Sequence, residues 1–260
     1  MKKQKLHIVK IGGNIINDEA LLTSFLKDFS ALSTPKILIH GGGKKATELA
    51  SIMGLKPKMI NGRRITDEAN LDIVTMVYAG LLNKKITAQL QKNGCNAMGL
   101  SGADANCILA HKRIVKDIDY GFAGDIDLVN SLTVKMFLKN NITPVFCAIT
   151  HDKNGQLLNT NADTIASEIA VAMSGLYETE LNYVFELKGV LESIEDKNSV
   201  IKHINSKKYK QLIKEGIISK GMLPKLHNCF SALEKGVQKV KIGDEALIKK
   251  ENELCTTLSI

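Results

Sequence analysis

Residues 34–48 read Thr-Pro-Lys-Ile-Leu-Ile-His-Gly-Gly-Gly-Lys-Lys-Ala-Thr-Glu, and the rest of the chain is arranged around them. The apolar run Ile37–Ile39 stops at His40 and opens into Gly41, Gly42 and Gly43. Residues with helical spacing follow at once: Ala46, Leu49, Ala50 and Met53. Strand, glycine turn, helix is the geometry in which backbone N–H groups at a helix start hold an anion. Three glycines remove the Cβ atoms that would keep a phosphate or carboxylate away from those donors.

The neighbouring sequence repeats the same alternation. Residues 5–11 read as a strand ending in Gly12-Gly13-Asn14, and Asp18 is placed to cap a helix over 19–31 with Leu21, Leu22, Phe25, Leu26 and Phe29 on one face. Lys56–Thr66 carries an Asn61-Gly62 turn between two short extended pieces, a hairpin. Asp67 then caps a long helix to about Lys92, with Leu71, Val74, Val77, Leu81 and Ile86 near one face. A strand is expected over 95–100, hairpin material over 108–129, a helix near 131–140, a strand at 143–149 and a small-residue helix ending at Ser174-Gly175. A fresh strand over Tyr183–Leu187, helices over 206–215 and 222–235, and a strand over 237–242 complete the chain. Such alternation predicts an α/β fold with a parallel sheet. A division near 175 gives lobes of residues 1–174 and 175–260.

Composition excludes several classes. The chain has 260 residues, 44% hydrophobic and 24% charged, enough for a large core, while its longest apolar runs are too short to span a bilayer. The basic start Met1–Lys5 reads as the lead-in to a strand and not as a signal peptide, so a soluble, cytoplasmic protein is expected. Cys95, Cys107, Cys147, Cys229 and Cys255 are scattered and odd in number, which predicts buried thiols. The six histidines have no metal-ligand spacing, and no residue is assigned to a protein-held metal. The net charge of +8 comes from lysines spread among acids, with 5% aromatics. That pattern argues against nucleic acid and for small anionic partners.

Three anion chemistries fit the glycines. Gly41-x-Gly43-x-x-Ala46 satisfies the loose dinucleotide fingerprint, which by itself is weak, and the acidic residue expected about 20 positions on is replaced by Asn61-Gly62-Arg63-Arg64. An NAD(P)-dependent oxidoreductase therefore stays open. The P-loop pattern is absent, and a loop that cradles the acceptor or the transferred group of another phosphoryl-transfer enzyme is the third possibility. Taken singly, each residue has a plainer explanation. Lysines at strand ends are usually surface residues, Asn159 and Asp163 could cap the following helix, and Arg63-Arg64 could be a solvated hairpin tip.

Lys10-Ile11-Gly12-Gly13, His40-Gly41-Gly42-Gly43, Asn159-x-Asn161-Ala162-Asp163 and Gly221-Met222-x-x-Lys225 together resemble the amino-acid kinase family. Asn61-Gly62-x-Arg64-x-Thr66 and Gly121-Phe122-x-Gly124-Asp125 resemble its acetylglutamate kinase branch, which serves the second step of arginine biosynthesis. Six motifs occur in order and nearly end to end. The resemblance implies a three-layer α/β/α sandwich with a mainly parallel sheet continuous across two lobes, an N-acyl-glutamate lobe that also carries the dimer interface and an ATP lobe. It implies transfer of the γ-phosphoryl of ATP, with Mg2+ held mainly by the nucleotide phosphates, to the γ-carboxylate of N-acetyl-L-glutamate, or of N-succinyl-L-glutamate as the alternative.

By the same resemblance Lys10 and Lys225 flank the transferring group and Asp163 holds both ammonium groups. Gly13, Gly42 and Gly43 donate N–H groups, Arg64 grips the α-carboxylate and Asn159 takes the acylamino end. The nucleotide is expected along Glu186, Leu187, Lys188, Gly189, Val190 and Leu191, and at Ile217, Ile218 and Ser219. Glu186, Lys188, Lys220 and Cys255-Thr256 depart from the types usual there. About five residues precede the first strand, where arginine-inhibited relatives carry an extra helix, so an arginine-insensitive homodimer is expected.

Overall fold

A computed structural model describes residues 3–60, 62–115, 117–193, 195–218, 222–249 and 254–260. In chain order, β1 (Lys5–Ile11) leads through the short α1 (Gly13–Asn17) into α2 (Glu19–Ser30), then β2 (Lys36–His40) and α3 (Gly43–Ile52). The hairpin β3 (Met59–Ile60) and β4 (Arg63–Arg64) precedes α4 (Glu68–Thr75), which runs through a π-helical segment (Met76–Leu82) into α5 (Asn83–Lys92). Next come β5 (Ala97–Leu100), β6 (Ile108–Lys112), β7 (Gly124–Val129), α6 (Ser131–Lys139), β8 (Thr143–Phe146), β9 (Ile149–His151), β10 (Leu157–Asn159) and α7 (Ala162–Ser174). The last elements are β11 (Glu178–Val184), β12 (His203–Asn205), α8 (Ser206–Lys214), α9 (Leu223–Glu234), β13 (Lys239–Gly243) and β14 (Thr256–Ser259).

Two compact units result: Met1–Ile37 together with Ala166–Ile260, and Leu38–Ile165. This differs from a single cut at 174/175, and the reason is strand pairing. β1 runs parallel to β11 over its whole length, from Lys5 opposite Glu178 to Ile11 opposite Val184. The N-terminal strand therefore belongs with the C-terminal part of the chain. In this unit β11 also pairs with β13 in parallel, and β14 joins β13 to β12. In the second unit β8 lies between β2 and β5, all parallel, and a smaller sheet of β10, β9, β6 and β7 stands apart.

The expected caps form: Asp18 accepts from the Leu21 N–H and Asp67 from the Asn70 N–H. Two expectations are corrected. The strand expected over Tyr183–Leu187 is Glu178–Val184. It hid behind Glu178, Glu180 and Asn182, polar residues that alternate as in a half-exposed strand. Glu180 is nonetheless buried, its carboxylate 2.8 Å from Lys5 Nζ and 3.2 Å from Lys241 Nζ. Burial alone would raise its pKa, but the Lys5 hydrogen bond and the charges of Lys241 and His7 hold it below the ordinary value.

The second correction concerns the long helix. Its π-helical segment spaces bonds one residue wider than the α-helix, which rotates the following residues. Leu82 faces inward at 8% exposure while Leu81, expected on the buried face, stands 40% exposed. Cys95, Cys107, Cys147 and Cys229 are buried thiols as expected, whereas Cys255 is half-buried. Among the described residues no helix is long and apolar enough to cross a membrane.

Candidate active site

β2 delivers the glycine turn. His40 ends the strand with no exposed surface, and α3 begins at Gly43 with no side chain capping it. Its first N–H groups and the positive end of its dipole therefore face an open cavity instead of a capping oxygen. That cavity, about 440 Å³, lies within the second unit and is lined by Gly41–Gly43, Lys44, Arg64, Tyr78, Asn159 and further residues. Its size suits a small metabolite. A Cβ on Gly42 would stand 2.5 Å from Leu82 Cδ1 and 2.8 Å from Tyr78 Cδ1, so the π-helical segment packs directly against the back of the turn.

Arg64 is buried while its neighbour Arg63 is exposed, so it is not a solvated hairpin tip. Its Nη2 donates to Gly43 O at 3.1 Å and to Thr47 Oγ1 at 2.6 Å, and Nη1 donates to Asn70 Oδ1 at 3.4 Å. Tyr78, whose pKa is raised by burial, also bonds Arg64. These contacts fix the plane of the guanidinium beside the helix start, which is what bidentate carboxylate binding needs. Arg64→Lys loses the fork and keeps the charge. For the reaction that the resemblance implies, we expect acceptor kcat/KM to fall roughly 30- to 150-fold, about 2–3 kcal/mol, measured with the acceptor varied at saturating nucleotide.

Three sequence motifs meet on the far wall. Thr66 N–H donates to Tyr120 O and Phe122 N–H to Thr66 O. Gly121 has φ 64°, and a Cβ there would stand 2.2 Å from Thr66 O. Asn159 donates its amide to Thr66 Oγ1 at 3.0 Å and its backbone N–H to Phe122 O. Helix capping is done instead by Asn161, whose Oδ1 accepts from the N–H groups of Asp163 and Thr164. Asp163 sits in the first turn of α7. Asn61 lies outside the described residues.

The other expected residues belong to the first unit. Lys10 is opposite Tyr183 in the β1–β11 register, and Gly12 N–H donates to Val184 O at 2.9 Å, which places Gly13 at the start of α1. Exposed Lys225 on α9 holds its Nζ 5.4 Å from the centroid of the Phe185 ring. Glu186 is exposed, Leu187 and Lys188 are half-buried, and Gly189, Val190 and Leu191 are buried. Thr256 fixes this stretch: its Oγ1 accepts from Val190 N–H and donates to Ile201 O, both at 2.8 Å. Ile217 is half-buried and Ile218 buried. Ser219, Lys220 and Gly221 lie outside the described residues. Among the described residues no group of three or more His, Cys, Asp or Glu could hold a metal ion.

Residues 5–244 match the model of the amino acid kinase family. This chain belongs to that family. An acetylglutamate kinase of Cytophaga hutchinsonii is 55% identical over 252 residues, 96% of each chain. One from Phocaeicola vulgatus is 51% identical over 95% of this chain and 100% of its own. Among solved structures, smu.665 of Streptococcus mutans aligns with TM-score 0.80 at 26% identity over 98% of both chains. The protein is thus a kinase of mixed α/β architecture with a mostly parallel sheet. Motif spacing gave no role to several cavity residues of this family member, among them Thr47, Lys44, Tyr78 and Arg113. Lys44 lay in the glycine stretch itself, Thr47 is one α3 turn beyond Gly43, and Tyr78 follows Leu71 and Val74 at helical spacing on the face already read as buried.

Proposed function

We propose that the chain transfers the γ-phosphoryl group of ATP to the γ-carboxylate of N-acetyl-L-glutamate, the second step of arginine biosynthesis. The observation that carries this is the buried, immobilised Arg64 beside the uncapped start of α3, in one cavity with Asn159. An acceptor with two carboxylates and an acylamino group fits it: α-carboxylate on Arg64, acylamino end at Asn159, γ-carboxylate at the Gly42–Gly43 N–H groups. Lys10 and Lys225 offset the charge that builds on the phosphoryl oxygens, and Asp163 orients their ammonium groups. The nucleotide is assigned to the stretch 186–191 with 217–219, and Mg2+ to its phosphates.

Water must stay out while the acyl phosphate forms, and the acyl group keeps the substrate's own amine from attacking it. A carboxylate-ended acyl arm is the second reading, favoured by one observation. All three arginines of the chain, Arg63, Arg64 and Arg113, line this cavity, although the Nε and Nη2 of Arg113 both donate to the Asp125 carboxylate. Trapping the product with hydroxylamine tests both readings. A hydroxamate is expected with ATP and N-acetyl-L-glutamate, and its absence with either acyl-glutamate removes the proposal. A kcat/KM more than tenfold higher for N-succinyl- than for N-acetyl-L-glutamate would transfer it to the second reading.

Apolar side chains exposed on the second unit, Met98 on β5 with Leu132 and Met136 on α6, support a homodimer. Cysteines present as free thiols are in keeping with a cytoplasmic enzyme.

A further inference from the structure

Behind the glycine turn stands a layer of polar groups, His40 and Asn83, that do not line the cavity. His40 Nδ1 lies 2.8 Å from Gly41 O, and His40 Nε2 lies 3.1 Å from Asn83 Nδ2. Asn83, itself 1% exposed, also donates from Nδ2 to Val145 O at 2.9 Å. A carbonyl oxygen can only accept, so the ring hydrogen of His40 sits on Nδ1, and Nε2 accepts from the Asn83 amide. Burial holds the His40 pKa down at about 4, so at neutral pH the ring is uncharged and keeps one hydrogen. Asn83 is in reach because it directly follows the π-helical segment that backs Gly42.

The peptide joining Gly41 to Gly42 is planar and trans, so its C=O and N–H point in opposite directions. Drawing the Gly41 oxygen to the imidazole turns the Gly42 N–H to the side away from it. Glycine on both sides of this peptide leaves little steric resistance to its turning over. A turned-over peptide would offer a carbonyl oxygen to an anion in place of a donor.

We propose that His40, held in one tautomer by Asn83, is a positioning residue that locks the Gly41–Gly42 peptide with its N–H toward the reacting carboxylate. The role rests on Gly42 serving as a donor in the reaction proposed above. It predicts a cost like that of losing an oxyanion donor, which is typically about 10²–10³ in kcat.

The test has two readouts. Nitrogen NMR of histidine-labelled protein without substrates should find His40 neutral with its hydrogen on Nδ1, and a hydrogen on Nε2 would overturn the proposal. His40→Phe keeps the ring volume and removes the donor; kcat is expected to fall about 100- to 1,000-fold. His40→Asn returns an amide N–H near the place of Nδ1–H and should recover at least tenfold of that loss at a similar melting temperature. Normal turnover in His40→Phe, or no recovery in His40→Asn, counts against the lock while leaving the assigned reaction intact. Should His40→Phe fail to fold, the tautomer decides. Wild-type protein that forms no acyl phosphate would instead overturn the assigned reaction, and the lock with it.

Discussion

Replacing Lys10 or Lys225 with methionine is expected to lower kcat by about two to three orders of magnitude, roughly 2.7–4 kcal/mol of lost transition-state stabilisation. In the proposed reaction negative charge is spread over phosphoryl oxygens lying between the nucleotide and a carboxylate, so little covalent chemistry is left for the protein. Placed cations supply most of the stabilisation. Lysine presents a compact point charge on a flexible stem, and methionine matches that stem without the charge. Both residues stand on regular structure. Lys10 lies near the end of β1, a strand paired along its length with β11, and Lys225 is on α9 over the Phe185 ring. Neither substitution should disturb folding, so the melting temperature is expected to stay within a few degrees. Steady-state rates of ADP release at saturating substrates check this, and near-normal turnover in either variant would remove that lysine from the mechanism.

Gly42→Ala carries the second large effect, through space and not charge. The new methyl would stand 2.5 Å from Leu82 Cδ1 and 2.8 Å from Tyr78 Cδ1, well inside contact distance. Tyr78 and Leu82 are 5% and 8% exposed, and Tyr78 is further tied to Arg64, so the side chains have little room to retreat. The turn must shift instead. Overpacking of this kind costs about 1–3 kcal/mol of stability, and a displacement of about 1 Å at a reacting site can cost 10²-fold in rate. A fall of at least 100-fold in kcat/KM for the acceptor with a melting temperature a few degrees lower is expected, read by kinetics and thermal unfolding on the same preparation. Unchanged kinetics would mean the turn does not meet the substrate.

Much of this was legible in the residues because local chemistry acts alone there. Asp18 and Asp67 cap their helices, Gly62 turns its hairpin, and the run from Ile37 to Gly43 announces strand and turn by its own pattern. The cavity residues Gly42 and Gly43 were legible as an anion-holding turn, whereas Arg64 and Asn159 were legible only through resemblance, since singly each had a plainer explanation. What escaped depends on partners far along the chain. Glu180 reads as a solvated strand residue until Lys5 and Lys241 are brought against it. Leu81 reads as core until the π-helical segment adds its extra residue. The division into units escaped because a strand's partner is not written in the strand.

That division has a consequence for the birth of the molecule. Residues 38–165 form one uninterrupted stretch of chain, and β2, β5 and β8 within it can meet as soon as they are synthesised. β1 waits longer for one of its partners, since β11 begins only at Glu178. The β1–β11 pairing is thus among the last to form, and closing that span carries the entropy of the whole intervening loop unless the second unit has already condensed it. An early-condensed glycine-turn unit is therefore expected to speed that last pairing by shortening the loop it must close.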